Sequence, residues 1–155
     1  MSKADIVVVG GSAAGLTAAI TAKRHHPDKQ VLLVRKEKQV PIPCGIPYIF
    51  GTLDHPEKNL IPDSVLTTNK VELRVCEVLS IHRDRHELET TNGVVEYDRL
   101  ILATGSTPIN PPIPGMNLPG VFAIEKDFVH LVALQKELES AKDIVVIGGG
   151  FIGIE

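Results

Sequence analysis

Cys44 is the residue of this sequence that is best placed for covalent chemistry. Pro41 and Pro43 stiffen the backbone just ahead of it, and a short helix is predicted from Cys44 to Phe50. A thiol at a helix N-terminus is favoured as the thiolate, which is the nucleophilic form. The alternative, an inert buried thiol, is predicted for Cys76, which lies in an alternating strand pattern. Because no second cysteine is within five residues, Cys44 would exchange with an external thiol or cycle through a sulfenic acid.

Two glycine-rich turns of the same design lie near the two ends of the sequence. Residues 6–16 and residues 143–155 each read as an apolar strand, a tight turn and the start of a helix. Such a turn directs backbone N–H groups and a helix N-terminus at a pyrophosphate. Gly10 allows the tight turn and Gly15 allows the helix to pack on the strand, whereas Ser12 takes the middle position instead of glycine. Two turns predict two dinucleotides, and the alternative is a pair of strand–turn–helix units that bind nothing.

The end of the predicted second strand carries a basic residue. In a dinucleotide fold this position normally holds an acid that binds the adenosine ribose. Arg35 occupies it here and is followed by Lys36 and Glu37. An arginine suits a phosphate or stacks on the adenine, and Glu37 would reach the ribose if the loop were shifted by one residue. The sequence therefore leaves the ribose contact open.

The composition argues against several classes of partner. A chain of 155 residues that is 43% hydrophobic can bury a core, and its net charge of -3 comes from interspersed acids and bases. Neither nucleic acid nor an anionic membrane surface is a predicted partner. The uncharged stretch 6–22 is diluted by glycine, so we predict neither a signal peptide nor a membrane span. The six histidines lack metal-ligand spacing and the two cysteines suit a reducing compartment, so we expect a cytoplasmic protein without a metal site.

The order of the predicted elements indicates an α/β fold. Strand Ile6–Val9, helix Ala13–His26 and strand Val31–Val34 form a strand–helix–strand unit that is half of a dinucleotide-binding domain in size. A later short helix is predicted to be capped by Asp63. Further elements are predicted as strands at 71–75, 78–81, 87–90, 94–97 and 100–103, a proline-rich crossing segment at 107–120 and a helix at 128–138. Strand Ile144–Ile147 begins a second unit.

At four places the sequence resembles the flavin-dependent pyridine nucleotide–disulfide oxidoreductases, namely at Gly10–Gly15, Cys44–Tyr48, Tyr97–Ser106 and Gly148–Glu155. The resemblance covers the whole chain. It is strongest to the single-cysteine branch, which includes coenzyme A disulfide reductases, NADH oxidases, NADH peroxidases and polysulfide reductases. It implies a Rossmann-like, doubly wound FAD-binding domain of three layers with a small antiparallel β-meander. That domain would span residues 1–141, and residues 142–155 would be the first strand and turn of a truncated NAD(P)H-binding domain.

The resemblance also assigns residues to the two implied cofactors, FAD and NAD(P)H. Cys44 would face the flavin ring and exchange electrons with it. The residues implied at the FAD site are Gly10, Ser12, Ala13, Ala14, Gly15, Arg35, Lys36, Pro43, Val78, Ala103, Thr104 and Gly105. The residues implied at the NAD(P)H site are Gly148, Gly150 and Gly153. A C-terminal dimerisation domain in the family implies that the parent protein is a homodimer.

Three functions are compatible with these residues. The first is an FAD enzyme that takes hydride from NAD(P)H and passes electrons to Cys44, which reduces a disulfide or polysulfide. Ala13 supports this function, because peroxidases and many oxidases of the branch carry histidine there. Coenzyme A reductases usually place serine and asparagine where Pro41 and Pro43 stand, so a coenzyme A disulfide is left open as the substrate. The second function is an NADH oxidase that reduces oxygen at the flavin, and the third is a nucleotide-binding fragment without catalysis.

The isolated chain is expected to differ from its parent protein. In the family a later segment completes the FAD fold, so we expect this fragment to bind FAD weakly or not at all and to be inactive. Ile144–Ile147 would lack a sheet of its own, and an unpaired apolar strand is a template for pairing with another chain. We therefore expect residues 142–155 to fold back over the first unit or to mediate self-association, with self-association favoured.

Overall fold

The computed structural model describes residues 2–155, which contain six strands and five helices. The strands are β1 (Ser2–Val9), β2 (Val31–Arg35), β3 (Glu72–Val75), β4 (Val78–His82), β5 (Glu87–Thr90) and β6 (Gly93–Leu102). The helices are α1 (Ala13–His25), α2 (Ile46–Gly51), α3 (Ser64–Thr68), α4 (Phe128–Ser140) and α5 (Phe151–Ile154). Short 3-10 turns at Pro43–Gly45 and Pro56–Asn59 precede α2 and α3.

All six strands join one sheet in the order β3-β2-β1-β6-β5-β4. Strands β3, β2, β1 and β6 run parallel to one another. Strand β5 pairs antiparallel with β6, and β4 pairs antiparallel with β5, so the parallel core continues into the predicted meander. The sequence predicted separate strands at 94–97 and 100–103, whereas β6 is one continuous strand. The physical reason is its partner, because β1 pairs with β6 in a single register from Val95 to Leu102.

Both faces of β1 and β2 are buried, as their continuous apolar runs predicted, whereas β3 and the end of β6 are partly exposed. One core cluster is formed by Ala4, Val7, Val9, Leu32, Val34, Cys76, Leu88, Val95 and Tyr97. The other is formed by Val8, Ala19, Val31, Leu33, Leu66 and Val71. Alternate residues of β1 and β2 enter different clusters because successive side chains of a strand point to opposite faces. Each buried valine or leucine contributes about 1.5–3 kcal/mol, so this two-sided burial fixes the strand ends that carry the first glycine turn.

A third cluster packs helix α2 against helix α4. Ile46 and Ile49 of α2 are buried with Leu131 of α4. Helix α4 begins where the side chain of Asp127 accepts a hydrogen bond from the backbone N–H of His130 at 2.9 Å. The 3-10 turn ahead of α2 is therefore supported by a helix that comes much later in the chain.

The predicted strand Ile144–Ile147 does not form. Its side chains are exposed, Val145 to 85%, and no strand within residues 2–155 pairs with it. The apolar side chains of α5 are exposed as well, so the expectation that residues 142–155 fold back over the first unit is wrong. A strand needs a neighbour for its backbone hydrogen bonds, and an apolar pattern alone does not supply one.

Candidate functional site

The first glycine turn has a shape that requires glycine. Gly10 has a φ of +112°, and a Cβ atom there would overlap the carbonyl oxygen of Ala103. A Cβ atom on Gly15 would overlap the carbonyl oxygen of Gly10. The Gly10 N–H donates to the Val34 carbonyl at 2.8 Å, and the Ala103 N–H donates to the Val9 carbonyl at 2.8 Å. The ends of β1, β2 and β6 thus meet at this turn, which brings together three of the predicted FAD residues.

Helix α1 begins with hydrogen-bond donors that the helix does not use. Its N-cap residue, Ser12, makes no capping hydrogen bond from its side chain, and the first turn contains no acidic residue. The Leu16 N–H donates to the Ser12 carbonyl at 2.9 Å and starts the helical ladder. The N–H groups of Ala13, Ala14 and Gly15 therefore have no acceptor within the helix, and the helix dipole favours an anion beside them. These residues fit the pyrophosphate of a dinucleotide.

Other predicted FAD residues lie close to the carboxyl ends of the parallel strands. Thr104 and Gly105 follow β6 and are exposed, and Gly105 has a φ of +75°. Val78 opens β4 and packs against the core cluster that contains Cys76. Lys36 follows β2 and is exposed. The assignment of these residues to FAD stays a prediction.

Arg35, at the end of β2, is almost fully buried, with 3% exposure. Its Nε donates to the Glu37 carbonyl at 2.8 Å. One terminal nitrogen donates to the Lys38 carbonyl at 3.1 Å and to the Asp63 carboxylate at 2.7 Å. These hydrogen bonds hold the loop after β2 in place. A contact between the guanidinium and a nucleotide stays a prediction. Asp63 is the N-cap of α3, but the predicted capping bond is absent because the carboxylate pairs with Arg35 instead.

The two cysteines lie in opposite environments, as predicted. Cys76 is buried in the first core cluster, and Cys44 is exposed. Cys44 lies in the 3-10 turn Pro43–Gly45, and the helix predicted from Cys44 begins only at Ile46. An exposed thiol on a stiff turn can approach a sulfur atom of an incoming disulfide.

A second loop holds the Cys44 turn in place. Asn59 donates from its side-chain amide to the Ile42 carbonyl at 3.1 Å, and its own carbonyl accepts the Ile42 N–H at 2.8 Å. The Gly45 N–H closes the turn on the same Ile42 carbonyl at 2.9 Å. A Cβ atom on Gly45 would overlap Oδ1 of Asn59, so any other residue there would have to displace the Asn59 side chain. The sequence does not reveal this role of Asn59, because Asn59 is 17 residues from Ile42 and no local motif links the two.

The second glycine turn repeats the shape of the first. Gly148 has a φ of +121°, and a Cβ atom on Gly153 would overlap the Gly148 carbonyl oxygen, which is the relationship seen between Gly10 and Gly15. Gly150 is the N-cap of α5. The turn takes this shape although the strand before it is not formed, so the local sequence sets its geometry. The binding of NAD(P)H by these glycines stays a prediction.

Residues 2–155 contain neither a cluster of metal ligands nor a membrane-spanning helix. No group of three or more histidine, cysteine, aspartate or glutamate side chains is arranged to hold a metal ion in this part of the chain. None of the helices described is both long enough and apolar enough to cross a bilayer.

Comparison with known proteins places the chain in a family. The family model of the pyridine nucleotide-disulphide oxidoreductases matches residues 4–155. The chain belongs to this family. It is 34% identical over 161 residues to the NAD(P)H coenzyme A polysulfide/persulfide reductase of Pyrococcus horikoshii, an alignment that covers 99% of this chain and 36% of the relative. It is 31% identical over 166 residues to the NADH oxidase of Methanocaldococcus jannaschii, with 96% of this chain and 36% of the relative covered.

The solved structures agree with this placement. The reduced CoADR-RHD of Bacillus anthracis is similar with a TM-score of 0.83 and 27% identity, and the match covers 99% of this chain and 30% of that one. The chain thus spans about a third of the length of the relatives it matches, with 36% and 30% covered. Family membership confirms the Rossmann-like fold class and the family's cofactors, FAD and NAD(P)H, whereas the activity of the whole protein is a proposal. The domain boundary after residue 141 stays a prediction.

Proposed function

We propose that the whole protein takes a hydride from NAD(P)H and passes electrons through FAD to Cys44, which reduces a disulfide or polysulfide. The observation that carries this proposal is the exposed thiol of Cys44 on a turn held by Asn59. The name of the Pyrococcus horikoshii relative supports a sulfur substrate and makes a coenzyme A persulfide or disulfide one candidate. A homodimer is proposed on family likeness alone.

The glycine turns are the proposed cofactor sites. In the first turn, the free N–H groups of Ala13, Ala14 and Gly15 would donate to the FAD pyrophosphate. The second turn, Gly148–Gly153, would do the same for NAD(P)H. When bound, FAD supplies the conversion of a hydride into transferable electrons.

The chemistry of the chain itself is thiol–disulfide exchange at the Cys44 sulfur. The thiolate attacks one sulfur of the substrate, a new S–S bond forms, the substrate S–S bond breaks, and the first product leaves as a thiolate. The mixed disulfide then accepts two electrons, releases the second product as a thiolate and restores the Cys44 thiolate. With a polysulfide, the leaving group is a shorter polysulfide. The turn held by Asn59 places the sulfur in advance, which lowers the entropic cost of the attack.

Replacing Cys44 by serine tests the proposal in the whole protein. We expect disulfide and polysulfide reduction with NAD(P)H to fall to background, because serine does not form the mixed disulfide. Cys76→Ser is the matched control, since that thiol is buried, and it should retain activity. Undiminished disulfide reduction in Cys44→Ser contradicts the proposal.

The second candidate function is an NADH oxidase that reduces oxygen at the flavin. The similarity to the NADH oxidase of Methanocaldococcus jannaschii supports it. This candidate is favoured if the wild-type protein does not reduce disulfides and if the Cys44→Ser variant still consumes oxygen with NADH. The third candidate, a nucleotide-binding fragment without catalysis, concerns the chain alone. Without added NAD(P)H and FAD, an aromatic disulfide should release one equivalent of thiolate per Cys44, and the reaction should then stop because no reductant is present.

A further inference from the structure

The end of β2 lacks the acid that a dinucleotide fold normally offers to the adenosine ribose. Arg35 takes that position, its side chain is 2% exposed, and its guanidinium donates to the carbonyls of Glu37 and Lys38. A guanidinium carries donors only, so it cannot accept a hydrogen bond from a ribose hydroxyl in the way that a carboxylate does. The residue that the strand supplies does not fit the usual ribose contact, and the acceptor has to come from elsewhere.

Arg35 instead fixes a carboxylate from another element. Its terminal nitrogen donates to Oδ1 of Asp63 at 2.7 Å, and the Asp63 side chain is 49% exposed. Asp63 stands at the N-cap of α3, where aspartate normally bonds to its own helix, yet it makes no such bond. No hydrogen bond to its Oδ2 is found among residues 2–155. A carboxylate held by one oxygen and open at the other is a preorganised acceptor.

This ion pair lies beside the first glycine turn. A Cβ atom on Gly11 would come within 2.5 Å of Cδ and 3.1 Å of Cβ of Arg35, so the stem of that side chain packs against the turn. The Gly10 N–H also donates to the Val34 carbonyl at 2.8 Å, which ties the turn to the end of β2. In a dinucleotide fold the adenosine extends from this turn toward the end of the second strand. Arg35 thus connects the first turn, which its stem contacts, to the Asp63 carboxylate, which its guanidinium binds.

We propose that Asp63, oriented by Arg35, accepts hydrogen bonds from the adenosine ribose of the dinucleotide held by the first turn. This inference rests on the part of the proposed function that puts FAD on that turn. The positive charge of Arg35 beside the Asp63 carboxylate would offset part of the repulsion between that carboxylate and a bound pyrophosphate. Glu37 is the competing acceptor. Its carboxylate makes no hydrogen bond within residues 2–155, so it lacks the fixed orientation of Asp63.

The test compares the binding of ADP and 2′-deoxy-ADP to the 155-residue chain by nuclear magnetic resonance titration. The wild-type chain should bind ADP about tenfold more tightly, because a hydrogen bond to a charged group contributes at least that factor. In Asp63→Ala the ratio of the two affinities should fall to about one. Arg35→Met should lower the ratio as well, since the carboxylate loses its anchor, and unfolding curves identify a variant that fails to fold. Glu37→Gln should keep the wild-type ratio.

Several results would overturn the inference. They are an unchanged ratio in Asp63→Ala, a ratio lowered only by Glu37→Gln, a wild-type ratio near one, and no binding of ADP at millimolar concentration. Asp54→Ala is the matched control, because Asp54 is another exposed carboxylate with a basic partner, Lys58, at 2.7 Å, and it should keep the ratio. Disulfide exchange at Cys44 is measured in the same variants. Its absence counts against the proposed function, whereas the affinity ratio alone decides the role of Asp63.

Discussion

Asn59 donates its side-chain amide to the carbonyl oxygen of Ile42 at 3.1 Å, two residues before Cys44. The same carbonyl accepts the Gly45 N–H at 2.9 Å, so one oxygen atom joins two loops and closes the turn that carries the thiol. Asn59 is 3% exposed, so water does not readily replace its amide when the side chain is removed. The position of Cys44 therefore depends on a residue outside its own segment.

Asn59→Ala is expected to lower the free energy of unfolding by about 1–3 kcal/mol, because a buried hydrogen bond and its packing are lost. Chemical denaturation measures this change, and hydrogen exchange at the Gly45 amide should become faster. Gln39→Ala is the matched control, since Gln39 is exposed in the loop before Pro41, and it should change stability by less than about 0.5 kcal/mol. Equal effects of the two substitutions would show that Asn59 does not hold the turn.

Gly10→Ala is expected to destabilise the chain by at least about 2 kcal/mol, because the new Cβ atom would overlap the Ala103 carbonyl at a positive φ. Gly51→Ala is the control. Gly51 ends α2 without a positive φ, and a Cβ atom there would have no heavy atom within 4 Å. That substitution should be neutral or stabilising within about 0.5–1 kcal/mol. Thermal unfolding of both variants checks the contrast, and a Gly10→Ala protein as stable as wild type would refute the tight geometry of the turn.

Cys44 should react with iodoacetamide at least about tenfold faster than Cys76, because a buried thiol reacts only after the protein opens. Competitive alkylation at neutral pH, followed by mass spectrometry of the peptides, gives the two rates. Repeating the reaction in denaturant should bring the rates close together. Faster labelling of Cys76 in the native protein would be inconsistent with the placement of both residues.

Asp5 should contribute to the loss of stability in acid. Its Oδ2 accepts the backbone N–H of Gln30 at 2.7 Å and its Oδ1 accepts Nζ of Lys29 at 3.2 Å. The Gln30 hydrogen bond, with the Lys29 side chain second, holds the pKa of the Asp5 carboxyl below its usual 3.8. Because the folded-state pKa is lowered, this stabilisation is present above pH 3.8 and is lost as the pH falls through the lower folded-state pKa.

Asp5→Asn should therefore flatten the decline of the unfolding temperature below pH 3.8. Unfolding curves at a series of pH values measure the slope. The difference between the two proteins should persist at high salt, because salt screens the Lys29 ion pair more than the Gln30 hydrogen bond. Identical pH profiles would show that Asp5 does not contribute.

Residues 142–155 are expected to cause self-association, because the apolar side chains of Ile144–Ile147 are exposed and unpaired in the single chain. Light scattering should show a larger mass for the full chain than for a chain that ends at Ala141. Replacing Val145 by lysine tests the same surface without shortening the chain, and it should reduce the association. Monomers of both lengths at the same concentration would disprove this expectation.

The first strand–helix–strand unit could be predicted because its determinants are local. The unbroken apolar runs of β1 and β2 indicated burial on both faces, and each enters two core clusters. The glycine turns were equally predictable, since Gly148 takes a φ of +121°, close to the +112° of Gly10, although no strand forms before it. Cys76 is buried as predicted, although it lies between β3 and β4 and not within a strand as its surroundings suggested. In these places the chemistry of consecutive residues determines the conformation.

Other features were decided only by tertiary structure, because their partners are distant in sequence or are not provided. The strand predicted at Ile144–Ile147 does not form, since a strand depends on hydrogen bonds from a neighbour. Arg35 and Asp63 are 28 residues apart, and no local pattern shows that a residue placed to cap α3 pairs with the end of β2. The exposed Cys44 and the glycine turns were evident from the sequence alone. Which carboxylate pairs with Arg35, and which amide holds the Cys44 turn, depended on how the loops fold at the ends of the strands.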